Sequence, residues 1–223
     1  MGTITSLLDR DVYTMSQVDQ LLAVTKGTAS RWIDGYRHRG IVYEPLVREA
    51  RTGSPIVTWG EFVEARLISE YRRLGALVFT MRPAIIAIRE EFDTTHPLAT
   101  AQPFIDVQGR EIVLEIQEKT DLRSSLSFVV RTGQGVLRAP GVRRFQQEAY
   151  YGEDGTVQKF ELGQHVVMDP DFASGEPTIA GRRLRVRDIA DAVASGTTDE
   201  EIADMWDLEH KAIDEALYWS KIA

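Results

Sequence analysis

Residues 13–39, YTMSQVDQLLAVTKGTASRWIDGYRHR, decide how the first third of this chain folds. Thr14 followed by Gln17 has the pattern of a capping box, which starts a helix. Apolar side chains then recur at helical spacing, namely Met15, Val18, Leu21 and Leu22. A short break at residues 24–25 precedes a second predicted helix that ends near Arg39. The order of helix, tight turn and helix is typical of a helix-turn-helix.

The outer face of the second predicted helix carries short polar and basic side chains, which can meet base edges and phosphates in the major groove. Two runs rich in β-branched residues follow, 41–47 and 55–58. They flank the loop 48–54 and predict a hairpin wing whose tip contacts phosphates. The candidate DNA-binding residues are therefore Lys26, Thr28, Ser30, Arg31, Arg37, Arg39, Arg48 and Arg51. The alternative is that Arg31 and Arg37 are ordinary solvated charges.

A third helix is predicted from Trp59 to Leu74, ending at Gly75. Residues 13–36, together with TWGEFVEARLISEYRRLGALVFTMRPAIIAIREEF at residues 58–92, resemble the winged helix of MerR-type regulators. In that family an arginine and an aromatic residue stand together on the second helix, and Arg31-Trp32 take that place here. The resemblance implies that the N-terminal third reads duplex DNA, with Trp32 in the core supporting the second helix.

Acidic residues are unevenly distributed along the chain, whose net charge is −8. Residues 1–100 carry 12 Lys+Arg and 12 Asp+Glu, and residues 101–167 carry 8 and 9. Residues 168–223 carry 6 and 13, a net charge of −7. DNA binding requires a locally basic surface rather than a basic protein. The distribution therefore permits a DNA reader at the N-terminus and favours a basic protein partner for the C-terminal quarter.

The residue pattern in the middle of the chain predicts mainly strands. Residues 104–107 and 111–116 predict one hairpin around Gln108-Gly109. Residues 145–151 and 157–162 predict a second, around the turn formers at residues 152–155. The fold class expected is α+β, with a winged helix-turn-helix domain at residues 1–97 and a β-rich region at residues 98–165.

The C-terminal region, residues 166–223, predicts short β segments followed by three helices. The first helix stops at Ser195-Gly196, and Thr198 with Glu201 forms a capping box for the second. Arginines cluster just before the helices, at Arg182, Arg183, Arg185 and Arg187. They either contact nucleic acid or pair with nearby aspartates.

Residues 168–219, MDPDFASGEPTIAGRRLRVRDIADAVASGTTDEEIADMWDLEHKAIDEALYW, resemble a small domain of unknown function that occurs beside PIN-domain ribonucleases. There it serves as the antitoxin of VapBC-type modules. The pair of domains in one chain resembles VapB antitoxins. This resemblance implies operator DNA and a PIN-domain toxin, a VapC-type ribonuclease, as partners, and a homodimer is expected because operators commonly hold two half-sites.

Catalysis is not indicated by the sequence. There is no cysteine, which excludes disulfides and thiolate metal sites, and no serine or aspartate stands in a nucleophile motif. Glu90, Glu91, Asp93 and His96 are close in sequence, but a solvated helix end is favoured over a metal site. No cofactor is expected. Without a signal-like start or a long apolar run, a cytoplasmic location with no membrane partner is expected.

The expected function is therefore a non-enzymatic antitoxin that binds its operator and neutralises a PIN-domain ribonuclease. The alternative is a stand-alone MerR-like transcription regulator that senses a ligand in its middle region. A third possibility is an adaptor that uses both helical ends for protein contacts.

Overall fold

The computed structural model describes residues 6–75, 77–105, 107–132 and 135–221. Its mixture of helices and small sheets confirms the predicted α+β class. In chain order the elements are β1 (Asp11–Thr14), α1 (Met15–Leu21), α2 (Thr28–Ile33), β2 (Tyr36–His38), β3 (Ile41–Tyr43), β4 (Ile56–Thr58), α3 (Trp59–Arg73), α4 (Arg82–Glu91), α5 (Gln102–Ile105), α6 (Val107–Lys119), β5 (Val129–Thr132), β6 (Gly135–Arg138), α7 (Pro140–Glu148), β7 (Ala149–Tyr151), β8 (Val157–Glu161), β9 (Val166–Met168), β10 (Thr178–Ile179), α8 (Val186–Ala194), α9 (Asp199–Trp206) and α10 (His210–Ser220).

The strands form small antiparallel sheets. Strand β1 pairs with β4, β2 with β3, and β5 with β6, while β10, β9, β8 and β7 form a sheet in that order. Within the described ranges, no helix is both long enough and apolar enough to cross a bilayer.

Helix α3 lies at the centre of the fold, and every residue from Trp59 to Tyr71 is buried. A helix buried on all sides must place its charged side chains against partners, because an unpaired buried charge is costly. Its charged side chains meet this requirement, with ion pairs Glu61–Arg48, Glu64–His96, Arg66–Glu148 and Glu70–Arg73.

The predicted wing is wrong in its strand pairing. Strand β3 pairs with β2, so the hairpin spans residues 36–43, whereas β4 pairs with β1. Helix α2 ends early, at Ile33, because the chain turns sharply at Gly35. That residue has φ +68°, and a Cβ there would lie 2.4 Å from the carbonyl oxygen of Tyr43. Local β-propensity in residues 41–47 could not reveal which strand would be the partner.

The predicted first hairpin of the middle region, residues 104–116, is also wrong. These residues form α5 and α6, with residue 106 outside the described ranges. Ile112, Leu114 and Ile116 alternate as in a strand. Among the side chains of α6 that the structure describes, however, the most buried are Val113 and Gln117, which are four residues apart, as in a helix.

Gln117 gives this helix a specific contact with β5. Its side-chain oxygen accepts hydrogen bonds from the backbone nitrogens of Phe128 and Val129, at 2.6 and 3.0 Å. Its amide nitrogen donates to the carbonyl of Val129 at 3.0 Å. These long-range bonds help to fix α6 as a helix against the strand.

The second predicted hairpin is confirmed as β7 and β8. Its first strand is shorter than predicted because residues 140–148 form α7, which starts at Pro140. The buried ring of Phe145 belongs to that helix and packs 5.4 Å from Phe160.

The three C-terminal helices are confirmed as α8, α9 and α10, and the capping box of Thr198 and Glu201 begins α9. This region joins the N-terminal third through Tyr13, whose hydroxyl donates to the carbonyl of Gly175 at 2.6 Å. Buried side chains from Leu8 to Ala216 form one hydrophobic cluster. The N-terminal third and the C-terminal helices therefore share a common core.

His96 is held inside the fold rather than at a solvated helix end. Its Nδ1 lies 3.3 Å from the carboxylate of Glu64, which is fully buried. Burial alone would lower the pKa of His96, but the hydrogen bond and the charges of Glu64, Glu61 and Asp9 raise it above its ordinary value. This contact helps to pin the chain after α4 onto α3.

Candidate nucleic-acid interface

Asp19 fixes the turn between α1 and α2. Its buried carboxylate accepts hydrogen bonds from the backbone nitrogens of Gly27, at 2.6 Å, and Ala29, at 2.7 Å. A carboxylate at a helix start satisfies free N–H groups and suits the positive end of the helix dipole. The sequence interpretation did not identify Asp19, although an acidic residue on the buried side of α1 was the available signal.

Of the candidates predicted for the second helix, Thr28, Ser30 and Arg31 lie on α2 away from its buried side, and Lys26 lies in the turn before it. Lys26 and Arg31 are exposed, and Thr28 and Ser30 are half-buried. The inner side consists of Ala29, Trp32 and Ile33, all buried, which confirms that Trp32 is a core residue. Helix α2 and the turn before it thus present two cations, Arg31 on the helix and Lys26 in the turn, together with two half-buried hydroxyl groups.

Arg37 and Arg39 were predicted at the end of the second helix, but they lie on the β2–β3 hairpin. Both are exposed, next in the chain to α2. Arg39 and Gly40 form the two-residue turn, both with positive φ, +49° and +81°, as a type I′ turn requires. The hairpin at residues 36–43 therefore supplies the basic projection that the sequence interpretation placed at residues 48–54.

Arg48 is an internal residue, so its predicted place at an exposed wing tip is wrong. Its side chain is 7% exposed and its guanidinium bridges two carboxylates. It donates to Asp34 at 2.8 Å and to Glu61 at 2.6 and 3.1 Å. Further bonds go to the hydroxyl of Thr52, at 2.6 Å, and the carbonyl of Ile56, at 2.6 Å.

The carboxylate of Asp34 adds backbone bonds to this network. It accepts from the nitrogens of Thr52, at 2.7 Å, and Gly53, at 3.0 Å. Burial alone would raise the pKa of Asp34, but these bonds and the one from Arg48 lower it below its ordinary value. The loop that was predicted to bind phosphate is thus tied to α2 and α3. Arg51 is exposed and donates a hydrogen bond of 3.3 Å to the carbonyl of Asp34.

The C-terminal helices present an acidic surface, defined here by the exposed acidic residues of α8 to α10 and their connections. Its members are Asp191, Asp199, Glu200, Glu201, Asp204, Asp207, Glu209 and Asp214. The nearby arginines are partly neutralised. Arg185 pairs with Asp188 through two bonds of 3.0 Å, and Arg187 lies 3.2 Å from Glu176.

Comparison with known families and proteins finds one matching family model and several similar proteins from Mycobacterium tuberculosis. A family model described as "Protein of unknown function (DUF433)" matches residues 166–219. A protein named "Putative antitoxin VapB45" from Mycobacterium tuberculosis is 25% identical over 232 residues, which cover 94% of this chain and 93% of the relative.

A solved structure has the same fold over nearly the whole length of this chain. It is the X-ray crystal structure of Rv2018 from Mycobacterium tuberculosis, with a TM-score of 0.76 and 23% sequence identity. The match covers 94% of this chain and 99% of that one.

Family membership follows from a more similar relative. The uncharacterized protein Rv2308 of Mycobacterium tuberculosis is 35% identical over 227 residues, which cover 98% of this chain and 94% of the relative. With this identity over almost the full length of both proteins, the chain belongs to the protein family of Rv2308.

Proposed function

We propose that this chain is the antitoxin of a type II toxin–antitoxin module. Its N-terminal third binds operator DNA, and its C-terminal helices bind and block a PIN-domain ribonuclease toxin. The observation that carries the proposal is the pairing of two exposed surfaces of opposite character, a basic one on α2 and the β2–β3 hairpin and an acidic one on α8 to α10. The 25% identity to a relative named as an antitoxin supports it.

The DNA-binding half of the proposal treats α2 as the recognition helix and β2–β3 as the wing, in a MerR-like arrangement. A helix in the major groove contacts base edges with short polar side chains, and flanking cations contact phosphates. Arg48 is left out because its donors are used internally. The proposed contact set is Lys26, Thr28, Ser30, Arg31, Arg37, Arg39 and Arg51.

The toxin-binding half of the proposal rests on charge complementarity. A ribonuclease that binds RNA needs a basic surface to contact the phosphates. The acidic surface of α8 to α10 would attract that surface and exclude RNA from it. The mechanism is occlusion and requires no catalysis by this chain. A homodimer would engage two operator half-sites and so strengthen a modest single-site affinity.

Replacing Arg31 with alanine is expected to weaken binding to the chain's own promoter and to flatten its salt dependence. Each phosphate contact contributes about −0.9 to the slope of log K against log[salt] on B-DNA, so one lost contact should reduce the slope by about one. Gel shifts over a salt series measure this. Arg143→Ala, an exposed arginine on α7, is the matched control and should leave the slope unchanged. An unchanged slope in Arg31→Ala would remove Arg31 from the phosphate contacts.

Reversing charge on α9 is expected to abolish toxin binding. Glu200 and Asp204 are exposed and four residues apart, on one face of α9. The double variant E200K/D204K should fail to copurify with the product of the adjacent gene on co-expression and should fail to rescue growth. The matched control is E115K/E118K, which reverses two exposed glutamates of α6. If the unmodified chain neither copurifies nor rescues growth, the antitoxin proposal is wrong.

A further inference from the structure

An ordered stack of side chains lies beside α2, built from Arg31, Tyr36 and Tyr43, and is called the aromatic stack here. Tyr36 and Tyr43 are directly opposite each other in the β2–β3 hairpin. Their rings are 4.5 Å apart and nearly parallel, with an interplanar angle of 3°. The guanidinium of Arg31 lies over the Tyr36 ring at 5.8 Å, within the range of a cation–π contact.

The outer end of the aromatic stack is accessible. Tyr36 contacts three groups, Arg31, Tyr43 and the tilted ring of Phe79, whose centroid is 6.1 Å away. Tyr43 is 37% exposed and Phe79 is 38% exposed. Large aromatic side chains usually bury more of their area in a core or an interface. A further flat ring system could therefore extend the stack at Tyr43.

The surroundings of the stack are basic. Arg39 is exposed at the turn of the same hairpin, with Glu44 as an acidic neighbour in the chain. Arg37 is also exposed, but it pairs with Val42 and therefore faces the other side of the hairpin. A groove of about 430 Å³, lined in part by Arg31, Arg72 and Phe79, adjoins the Arg31 end of the stack. This charge opposes the pairing of the surface with a second copy of itself, because like charges would then face each other. The same positive charge favours the binding of a polyanion.

We propose that this surface binds single-stranded nucleic acid, with one base stacked on Tyr43 and a flanking phosphate near Arg39, at the turn of the same hairpin. An accessible ring beside exposed cations is a combination that binds single strands, because unpaired bases offer their flat faces. The bases inside an intact duplex do not offer a flat face, since both faces of each base are stacked on the neighbouring base pairs. The proposed reading of duplex DNA uses the same hairpin and shares its arginines but needs no open ring, so the ring of Tyr43 distinguishes the two activities.

Fluorescence anisotropy with two labelled twelve-residue strands tests the proposal. One is an oligothymidylate and the other is an abasic strand with the same number of phosphates. Stacking of a base on an aromatic side chain should make the wild type bind the oligothymidylate about ten-fold more tightly than the abasic strand. Equal affinity for the base-bearing and abasic strands overturns the proposal, because it leaves only electrostatic attraction.

Variants of Tyr43 locate the stacking site. Tyr43→Ala should abolish the preference for the base-bearing strand, and Tyr43→Phe should retain it. Tyr150→Ala removes an exposed tyrosine from β7, 52% exposed, and should leave the preference intact. A preference that survives in Tyr43→Ala overturns the assignment. A second result would also overturn it: the wild type binds neither strand, and Tyr43→Ala loses self-association. The stack would then be an interface between two copies of the chain. Operator gel shifts with Tyr43→Ala separate the two proposals, because Tyr43 is not among the proposed duplex contacts and its loss should leave duplex binding unchanged.

Discussion

Replacing Arg48 with alanine is expected to destabilise the fold by about 3–5 kcal/mol, the range for breaking a buried ion pair by removing one partner. The variant would leave the carboxylates of Asp34 and Glu61 close together, with no cation between them. The loop around Thr52 would also lose its bond to the guanidinium. Arg48→Lys should recover only part of the stability, since an ammonium group cannot reproduce the fork that spans both carboxylates.

Urea denaturation followed by circular dichroism measures this effect. Arg51→Ala is the matched control, because Arg51 is only three residues away but exposed, and it should lower the free energy of unfolding by less than about 1 kcal/mol. Comparable losses in the two variants would contradict the internal role assigned to Arg48.

The pH dependence of the Arg48→Ala defect gives a second test. The pKa of Asp34 is lowered in the folded protein, so its contribution to stability is present above its unfolded pKa, about 3.9. That contribution is lost as the pH falls through the folded pKa. Without Arg48 the contribution is smaller. The difference between wild type and variant should therefore be largest at neutral pH and should shrink in acid.

Replacing Trp59 with alanine is expected to cost about 3–5 kcal/mol, as for other large aromatic residues in a core. Trp59 is fully buried at the start of α3, with ring centroids of Phe62 and Phe160 at 5.5 and 5.7 Å. Its indole nitrogen also donates to the carbonyl of Val157 on β8 at 2.7 Å. The substitution removes both the packing and this hydrogen bond.

Trp59→Phe separates the two contributions. It keeps a ring in the core but leaves the Val157 carbonyl without its donor, which should cost about 1–3 kcal/mol. Tyr150→Ala, at an exposed tyrosine, is the control and should change the free energy of unfolding by less than about 1 kcal/mol. Thermal and urea unfolding measure all three. A Trp59→Ala loss as small as that of the control would contradict the central position of α3.

The helices were the most predictable part of this protein. The capping boxes of α1 and α9 are visible in the sequence and present in the structure, because their bonds join residues three apart. Helix α3 also ends where the position of Gly75 predicts. Its last residue is Arg73, and Gly75, just beyond the helix, has φ +81°. Residues 104–116 misled the interpretation because alternating apolar residues fit a strand as well as one side of a buried helix.

The candidate interface was predictable only in part. Thr28, Ser30 and Arg31 lie on the part of α2 that faces away from Ala29, Trp32 and Ile33, as helical spacing indicates, whereas Lys26 precedes the helix. The stacking of Tyr36 on Tyr43 follows from a two-residue turn at Arg39-Gly40, which the sequence interpretation assigned to the end of a helix. Tyr36 and Tyr43 lie at equal distances in the sequence from Arg39-Gly40. A glycine-containing turn flanked in this way by aromatic residues was the signal for a hairpin.

By itself, the sequence determined the α+β class, the C-terminal helices and the acidic character of that end, because these depend on local spacing and composition. Tertiary structure decided which strands pair and which arginines remain exposed. Arg48 and Arg51 have the same chemistry and lie in one loop. Arg48 is enclosed between Asp34 and Glu61, whereas Arg51 stays in solvent. The difference arises from carboxylates 14 and 13 residues away, which are brought to Arg48 only by the packing of α2 against α3.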